Sequence, residues 1–334
     1  MSEAGRATSF CPQATNRGAE MTIRVDWLAF TVRDVAPDAV QERLLEWVPG
    51  DFVELEYGSY SYARQAVGPG LGRIRWSDDR VDIHVELPGK WLGALPADKV
   101  LEVLEWVSDK AWYVAERADG TPQPRLAVTR LDLAADDFAK IVTPAEVEAA
   151  REAGNVATHA KSGSFQRDWA TKGETFGLGK RGSRQYLRVY DKAAESGGEI
   201  DAMRWELQFR DEAAASALER LVHEDWGKVF MSRLVTFVDF KDRSVDGRPD
   251  RCPRLPWFVG LVGSAEKAKP YEIVKPAISA AKTLEWIRRQ GGPSLAAVLE
   301  AAGGDLELLI SVAKEGKTRW RGRHRVIAAE RLEW

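Results

Sequence analysis

"SRQYLRVYDKAAE", Ser183 to Glu195, places Tyr186, Arg188, Tyr190 and Lys192 at alternate positions, with Leu187 and Val189 between them. Side chains of a strand alternate between its two faces. One face is therefore apolar, and the other carries two phenols and two cations.

The same period organises two further segments. In "TRLDLAADD", Arg130, Asp132, Ala134 and Asp136 share a face opposite Leu131 and Leu133; in "MRWELQFRD", Arg204, Glu206, Gln208 and Arg210 oppose Trp205, Leu207 and Phe209. A one-sided antiparallel sheet always has a wet face, and that is the plain reading. These polar residues, however, sort into chemical roles. Asp132 and Glu206 are oxygen ligands suited to a hard divalent cation. Arg188 and Lys192 suit phosphate, and Tyr190 stands between them as a candidate nucleophile. A phenol ionises near pH ~10, so flanking cations are expected to favour the phenolate. A tyrosine ester of phosphate keeps bond energy that a DNA hydroxyl can recover.

The 334 residues are 44% hydrophobic and 30% charged, the composition of a soluble globular chain. No apolar run approaches the ~20 residues that span a bilayer, and the first twenty residues hold no signal core. Cys11 and Cys252 make neither a disulfide framework nor a metal pair, which fits a cytoplasmic protein without membrane attachment. A net charge of −3 excludes a uniformly basic chain but not a local basic patch. Lys180, Arg181 and Arg184 precede the opening strand, and "RWRGRHRV" gathers arginines near the end; for the latter, a phosphate-contacting strand and a solvated tail are equal readings.

Residues 1–21 read as a disordered leader. Residues 22–250 follow a rhythm of strand, helix, hairpin, helix, strand, helix, hairpin. That rhythm predicts an α+β domain with a mainly antiparallel sheet and helices on one face. Thr143 and Glu146 form a capping box for a helix starting at Pro144. The two halves share the rhythm without repeating residue identities. Residues 251–334 read as a small, mainly helical C-terminal region broken at Gly291-Gly292-Pro293 and Gly303-Gly304.

"VTRLDLAADD", "ETFGLGKRGSRQYLRVYDKAAE" and "MRWELQFRDE" together resemble, in order and spacing, the replication initiation factor (Rep_trans) family. "VDWLAFTV", "VDIHVELPGKWL" and "TLEWIRRQGGPSLAAVL" extend the resemblance from about Met21 over most of the chain. Members initiate rolling-circle replication of plasmids, and relatives serve as relaxases of conjugative elements. The resemblance implies that Tyr190 is the nicking nucleophile, with Asp132 and Glu206 as ligands of Mg²⁺ or Mn²⁺ and Asp136 as a third possibility. It implies an origin DNA substrate, a host helicase and polymerase as partners, and a possible homodimer. On this reading Arg188 and Lys192 stabilise charge at the scissile phosphate, while Lys180, Arg181, Arg184 and Tyr186 bind DNA around it. The family pattern carries an aromatic residue where Gly177 stands, which bears on the loop geometry nearby.

Two other readings compete. A DNA-binding regulator on the same fold would bind without forming an adduct, and a nuclease using water would cut without staying attached. His84, His159, His223 and His324 are scattered, so no histidine pair marks a metal site; His84, on a hairpin, is the one of most interest. Trp76 and Trp91 flank the basic hairpin and are candidates for stacking on bases. "GPGLGRIRW" lacks the ending of a phosphate-binding loop and reads as a flexible hairpin entry able to lie against DNA.

Overall fold

β1 (Met21–Arg33) and β8 (Leu126–Asp137) run antiparallel at the centre of a ten-stranded sheet in the computed structural model. The structure describes residues 21–109, 113–116, 122–263, 280, 283–284, 287–318 and 328. Residues 1–20 of the expected leader and the terminal "RWRGRHRV" lie outside the described residues, while Met21, its last residue, is buried and opens β1.

After β1 come helix α1 (Pro37–Trp47), β2 (Val53–Leu55), β3 (Arg64–Val67), β4 (Arg73–Trp76), β5 (Asp82–Pro88) and helices α2 (Gly89–Leu92) and α3 (Ala97–Ser108). A two-stranded piece, β6 (Tyr113–Glu116) with β7 (Pro122–Pro124), leads to β8. Then follow α4 (Pro144–Glu152), β9 (Val156–Thr158), β10 (Gly163–Arg167), β11 (Glu174–Gly179), β12 (Gln185–Asp191), α5 (Lys192–Ser196) and β13 (Met203–Arg210). Helices α6 (Glu212–His223) and α7 (Trp226–Phe237), β14 (Val238–Phe240) and α8 (Pro256–Val262) complete this part. Strand order across the sheet is β10-β11-β12-β13-β8-β1-β5-β4-β3-β2.

That order is two copies of one plan. From the centre outward one half reads β1, β5, β4, β3, β2, and the other reads β8, β13, β12, β11, β10. In each half the first strand is central, a helix follows it, and the last strand returns beside it. The rhythm shared by the two halves of the sequence is therefore a repeat of topology.

The apolar faces explain which side the helices cover. Leu131, Leu133, Leu187, Val189, Trp205, Leu207 and Phe209 are all buried beneath α4, α6 and α7. Burying each such side chain contributes roughly 1.5–3 kcal/mol, which holds the strands in register. The capping box forms: the Thr143 amide donates to Glu146 Oε2 (2.8 Å), and the Glu146 amide to Thr143 Oγ1 (3.3 Å). A register shift between Val25 and Trp27 marks a β-bulge in β1. Ile23 and Val25 face the core before the bulge, and Leu28, Phe30 and Val32 after it.

The chain divides into a unit ending at Pro270 and another from Tyr271 to Trp334. The boundary expected at 250 falls inside the first unit. α8 puts Phe258, Leu261 and Val262 into the same core, and Trp257 packs against Trp205 with ring centroids 6.4 Å apart. In the second unit, helices cover Gly292–Ala301 and Leu306–Lys317, the latter capped by Asp305 Oδ1 accepting from the Glu307 amide.

Candidate active site

β12, β13 and β8 lie side by side, and their register sets the polar face. Tyr190 is opposite Arg204, which is opposite Asp136; Arg188 is opposite Glu206, which is opposite Ala134; Tyr186 is opposite Gln208, which is opposite Asp132. Ala134, a small side chain, stands on the strand between the two carboxylates Asp132 and Asp136. The Tyr190 hydroxyl donates to Glu206 Oε2 at 3.2 Å, and Arg188 Nη2 reaches both oxygens of Glu206 at 2.6 Å. Arg204 forks onto Asp136, with Nε to Oδ1 at 2.5 Å and Nη2 to Oδ2 at 2.9 Å. Arg24 pairs with the same carboxylate from β1. Asp132 is held by Arg130, whose Nε lies 3.0 and 3.1 Å from its two oxygens.

Burial governs the electrostatics. Tyr190 is 6% exposed. Burial, then the Glu206 carboxylate, push its phenol well above the ordinary value, while Arg204 and Arg188 pull it down less strongly. The expectation that flanking cations favour the phenolate is therefore reversed in the resting protein, because burial and the Glu206 carboxylate outweigh Arg204 and Arg188. The phenol is held protonated, and Glu206 accepts its hydrogen bond. Asp132 is pushed up to about 7, by burial first and by the Glu206 and Asp26 carboxylates as well, against the pull of Arg130. Burial pulls Arg188 down, but Glu206 outweighs it and the guanidinium ends above its ordinary value.

Lys192 does not continue the strand. Asp191 ends β12 and caps α5, its Oδ1 accepting from the Ala193 and Ala194 amides, so Lys192 opens a helix and pairs with Glu195. Its Nζ lies 6.0 Å from the Tyr190 ring centroid. Lys180, Arg181 and Arg184 sit in the β11–β12 turn, at the opposite end of β12 from Tyr190. Arg184 precedes Tyr190 by six residues, a span of ~20 Å along a strand. The turn borders a cavity of ≈ 520 Å³ shared with His159 and Lys161, two basic neighbours that no strand pattern revealed. Arg184 also pairs with Glu212 at 3.1 Å.

Tyr186 is buried on the same face as Tyr190. A Cβ on Gly177 would come within 2.5 Å of the Tyr186 hydroxyl, so the phenol occupies the room an aromatic side chain at 177 would need. Trp76 and Trp91 are buried and unavailable for base stacking. Trp91 lies under the "GPGLG" segment, where a Cβ on Gly70 (φ +56°) would come 2.6 Å from its Cα. That segment is packed hairpin structure and not a free entry loop.

Among the described residues no three His, Cys, Asp or Glu side chains are grouped to hold a metal ion. Asp132, Glu206 and Asp136 are each engaged by arginine, and Asp136 is enclosed by two. As they stand, these carboxylates do not fit a preassembled metal centre. Sequence reasoning passed over Asp26, Arg24 and the role of Arg204. Asp26 is the extra residue of the β1 bulge, and its Oδ1 accepts from Arg204 Nη1 at 3.1 Å. The signal was present in "TIRVDWLAFTV", where the apolar phase slips between Val25 and Leu28.

The model of the Rep_trans family, described as replication initiation factor, matches residues 126–311. The chain belongs to the replication initiation factor family. No curated protein matches it. Among solved structures, the rolling circle replication initiator protein from Geobacillus stearothermophilus is similar, with a TM-score of 0.60 at 20% identity over 75% of this chain and 100% of that one. At that identity the likeness shows a common fold. The matched region of this replication initiation factor contains β8, β12 and β13 entire, and thus Tyr190, Glu206 and Asp132.

Proposed function

We propose that this initiator is a sequence-specific DNA nickase and strand transferase that starts rolling-circle replication or conjugative transfer through Tyr190. The observation that carries the proposal is the Tyr190 hydroxyl on Glu206, flanked by Arg188 and Arg204, on the polar face of a family member's central sheet. Tyr190 Oη attacks the scissile phosphorus as its proton passes to Glu206. The bond from phosphorus to the 3′ oxygen breaks, and that oxygen takes up a proton from water. The products are a 5′-phosphotyrosine and a free 3′-hydroxyl that a polymerase can extend. As the proton reaches Glu206, Arg188 loses its anionic partner and is freed for the charge growing on the phosphorane. Lys192, two residues on at the start of α5, would add its charge at the same phosphate on leaving Glu195.

Asp132 and Glu206 are the carboxylates that would hold Mg²⁺ or Mn²⁺, but only with Arg130 and Arg188 displaced, and no step of the transfer to Tyr190 runs through the ion. Lys180, Arg181 and Arg184 would hold the DNA backbone ~20 Å from the cut, with the buried Tyr186 nearer to it, ~13 Å from Tyr190 along the strand. A helicase, a polymerase and a second copy of the chain are the partners this reading calls for.

A regulator that only binds DNA draws support from the burial of Tyr190. One experiment separates the readings. The protein is incubated with Mn²⁺ and a supercoiled plasmid bearing the native origin, and a protease-sensitive DNA–protein adduct is sought. An adduct mapping to the Tyr190 peptide is expected. Binding without an adduct favours the regulator, and cutting without one favours attack by water.

A further inference from the structure

The topological repeat extends to the residues of the polar face. Ala29 of β1 is opposite Glu86 of β5, as Ala134 of β8 is opposite Glu206 of β13. Thr31 is opposite His84, as Asp136 is opposite Arg204. Across the next pair, Arg75 of β4 is opposite His84, as Tyr190 of β12 is opposite Arg204. Arg75 thus occupies the place of the proposed nucleophile.

The contacts correspond as well. Arg75 Nη2 donates to Glu86 Oε2 at 2.9 Å where the Tyr190 hydroxyl donates to Glu206. His84 Nδ1 meets Thr31 Oγ1 at 3.2 Å where Arg204 meets Asp136. The N-terminal half therefore repeats the site with an arginine in place of the tyrosine, so it can hold a phosphate but not attack one.

Two observations point to a ligand there. Arg75 is 2% exposed, yet its buried Nη1 has no hydrogen-bond partner. A buried guanidinium with one unpaired arm lacks an acceptor, a costly state that an incoming oxygen relieves. Over it lies a tyrosine-rich loop. Tyr57 and Tyr60 are 68% and 71% exposed, the Tyr60 ring lies 4.6 Å from the Arg75 guanidinium, and the Tyr62 ring stacks on His84 at 6.3 Å. Tyr60 and Ser61 both adopt positive φ (54° and 66°), an uncommon conformation for such residues that is retained where the surroundings impose it.

We infer that this repeated set of residues, with the loop over it, is a second, non-cleaving binding site for single-stranded DNA. Arg75 takes a phosphate oxygen, and Tyr57 and Tyr60 stack on the adjoining bases. Exposed aromatic rings beside a cationic group suit single strands, whose bases are free to stack, rather than duplex. The inference rests on the proposed action on DNA, but its site is separate from Tyr190.

The test uses the full chain and a short oligothymidylate carrying 5-iododeoxyuridine, with no origin sequence. Ultraviolet crosslinking and peptide mapping are expected to place an adduct on residues 57–62. Tyr57→Ala with Tyr60→Ala is expected to weaken affinity at least about fivefold, the loss for one stacked base. Arg75→Lys, which keeps the charge but loses the fork, is expected to weaken it as well. Should Arg75→Lys fail to fold, the tyrosine pair is exposed and still decides the matter. Unchanged affinity in the tyrosine double variant, or crosslinks confined to other peptides, overturns the inference. Adduct formation at Tyr190 on origin DNA is scored separately, so failure of nicking and failure of this site give different results.

Discussion

The Tyr190 hydroxyl lies 3.2 Å from Glu206 Oε2, and both oxygens of that carboxylate also accept from Arg188. One carboxylate thus holds the phenol and its neighbouring cation at once. Protonation of Glu206 would release both in the same event.

Tyr190→Phe removes only the hydroxyl and keeps the packing of the ring. Nicking and adduct formation are expected to fall to background while origin affinity stays within a few-fold. Gel assays of nicked plasmid and equilibrium binding check the two halves. A phosphopeptide containing Tyr186 would transfer the role to the other phenol of this face.

Glu206→Gln removes the proposed base and, after burial, the main influence that raises the phenol. At neutral pH, single-turnover nicking is expected to drop by ~10²- to 10⁴-fold, the usual worth of general base catalysis. The rate should then climb with pH, because the phenol ionises unaided in alkaline solution. A pH profile parallel to wild type would remove Glu206 from the role of base.

Asp132 and Asp136 are expected to part company in stability. Asp136 is 0% exposed between Arg204 and Arg24, so Asp136→Asn leaves the buried Arg204 with only Asp26 as its counterion and takes the carboxylate from Arg24. Breaking such a pair from one side costs about 3–5 kcal/mol, readable by denaturant unfolding. Asp132 behaves oppositely because its folded pKa of about 7 lies above that of the unfolded chain. The native state then binds the extra proton between pH ~4 and pH ~7, and stability declines as pH rises through that window. In metal-free buffer Asp132→Asn should match wild type near pH 4 and exceed it at pH 8, on the order of a few kcal/mol. Destabilisation at pH 8 would mean that the Arg130 ion pair outweighs burial.

Lys180→Ala with Arg181→Ala should weaken binding to every sequence alike. Each lost phosphate contact lowers the slope of log affinity against log salt by about 0.7 to 0.9. Single-turnover nicking at saturating DNA should change little, since the turn lies ~20 Å from Tyr190 along the strand. Arg188→Ala should do the reverse, lowering the rate at saturation more than the affinity. Loss of affinity alone in Arg188→Ala would make the face a binding surface.

Period-two reading placed Asp132, Glu206, Arg188 and Tyr190 on one face because central strands buried on one side must alternate. It failed where alternation stops. The bulge turned Asp26 onto the polar face, and Asp191 turned Lys192 into a helix. The outer strands β2, β3, β10 and β11 are three to six residues long, and β2 and β10 are mostly exposed, so they carry little apolar signal. α6 and α7 went unread although Leu218, Leu221, Phe230 and Leu234 are spaced for a buried helix face. Which carboxylates are neutralised by arginine is set by contacts across strands, and no single segment encodes that.

The central pairing of β1 with β8 has a consequence for synthesis. Strands β1 to β5 are complete once Pro88 is made, and each pairs with a neighbour from the same stretch of chain. β8 arrives at least 38 residues later (126 − 88), so until then β1 stands as an edge 13 residues long. A long strand edge with free amides and carbonyls is a template for joining other chains. Arg24, Asp26 and Arg33, at intervals along β1, place charge on that edge while it waits. Replacing them with uncharged residues should show first as aggregation during expression, before any loss from the finished molecule.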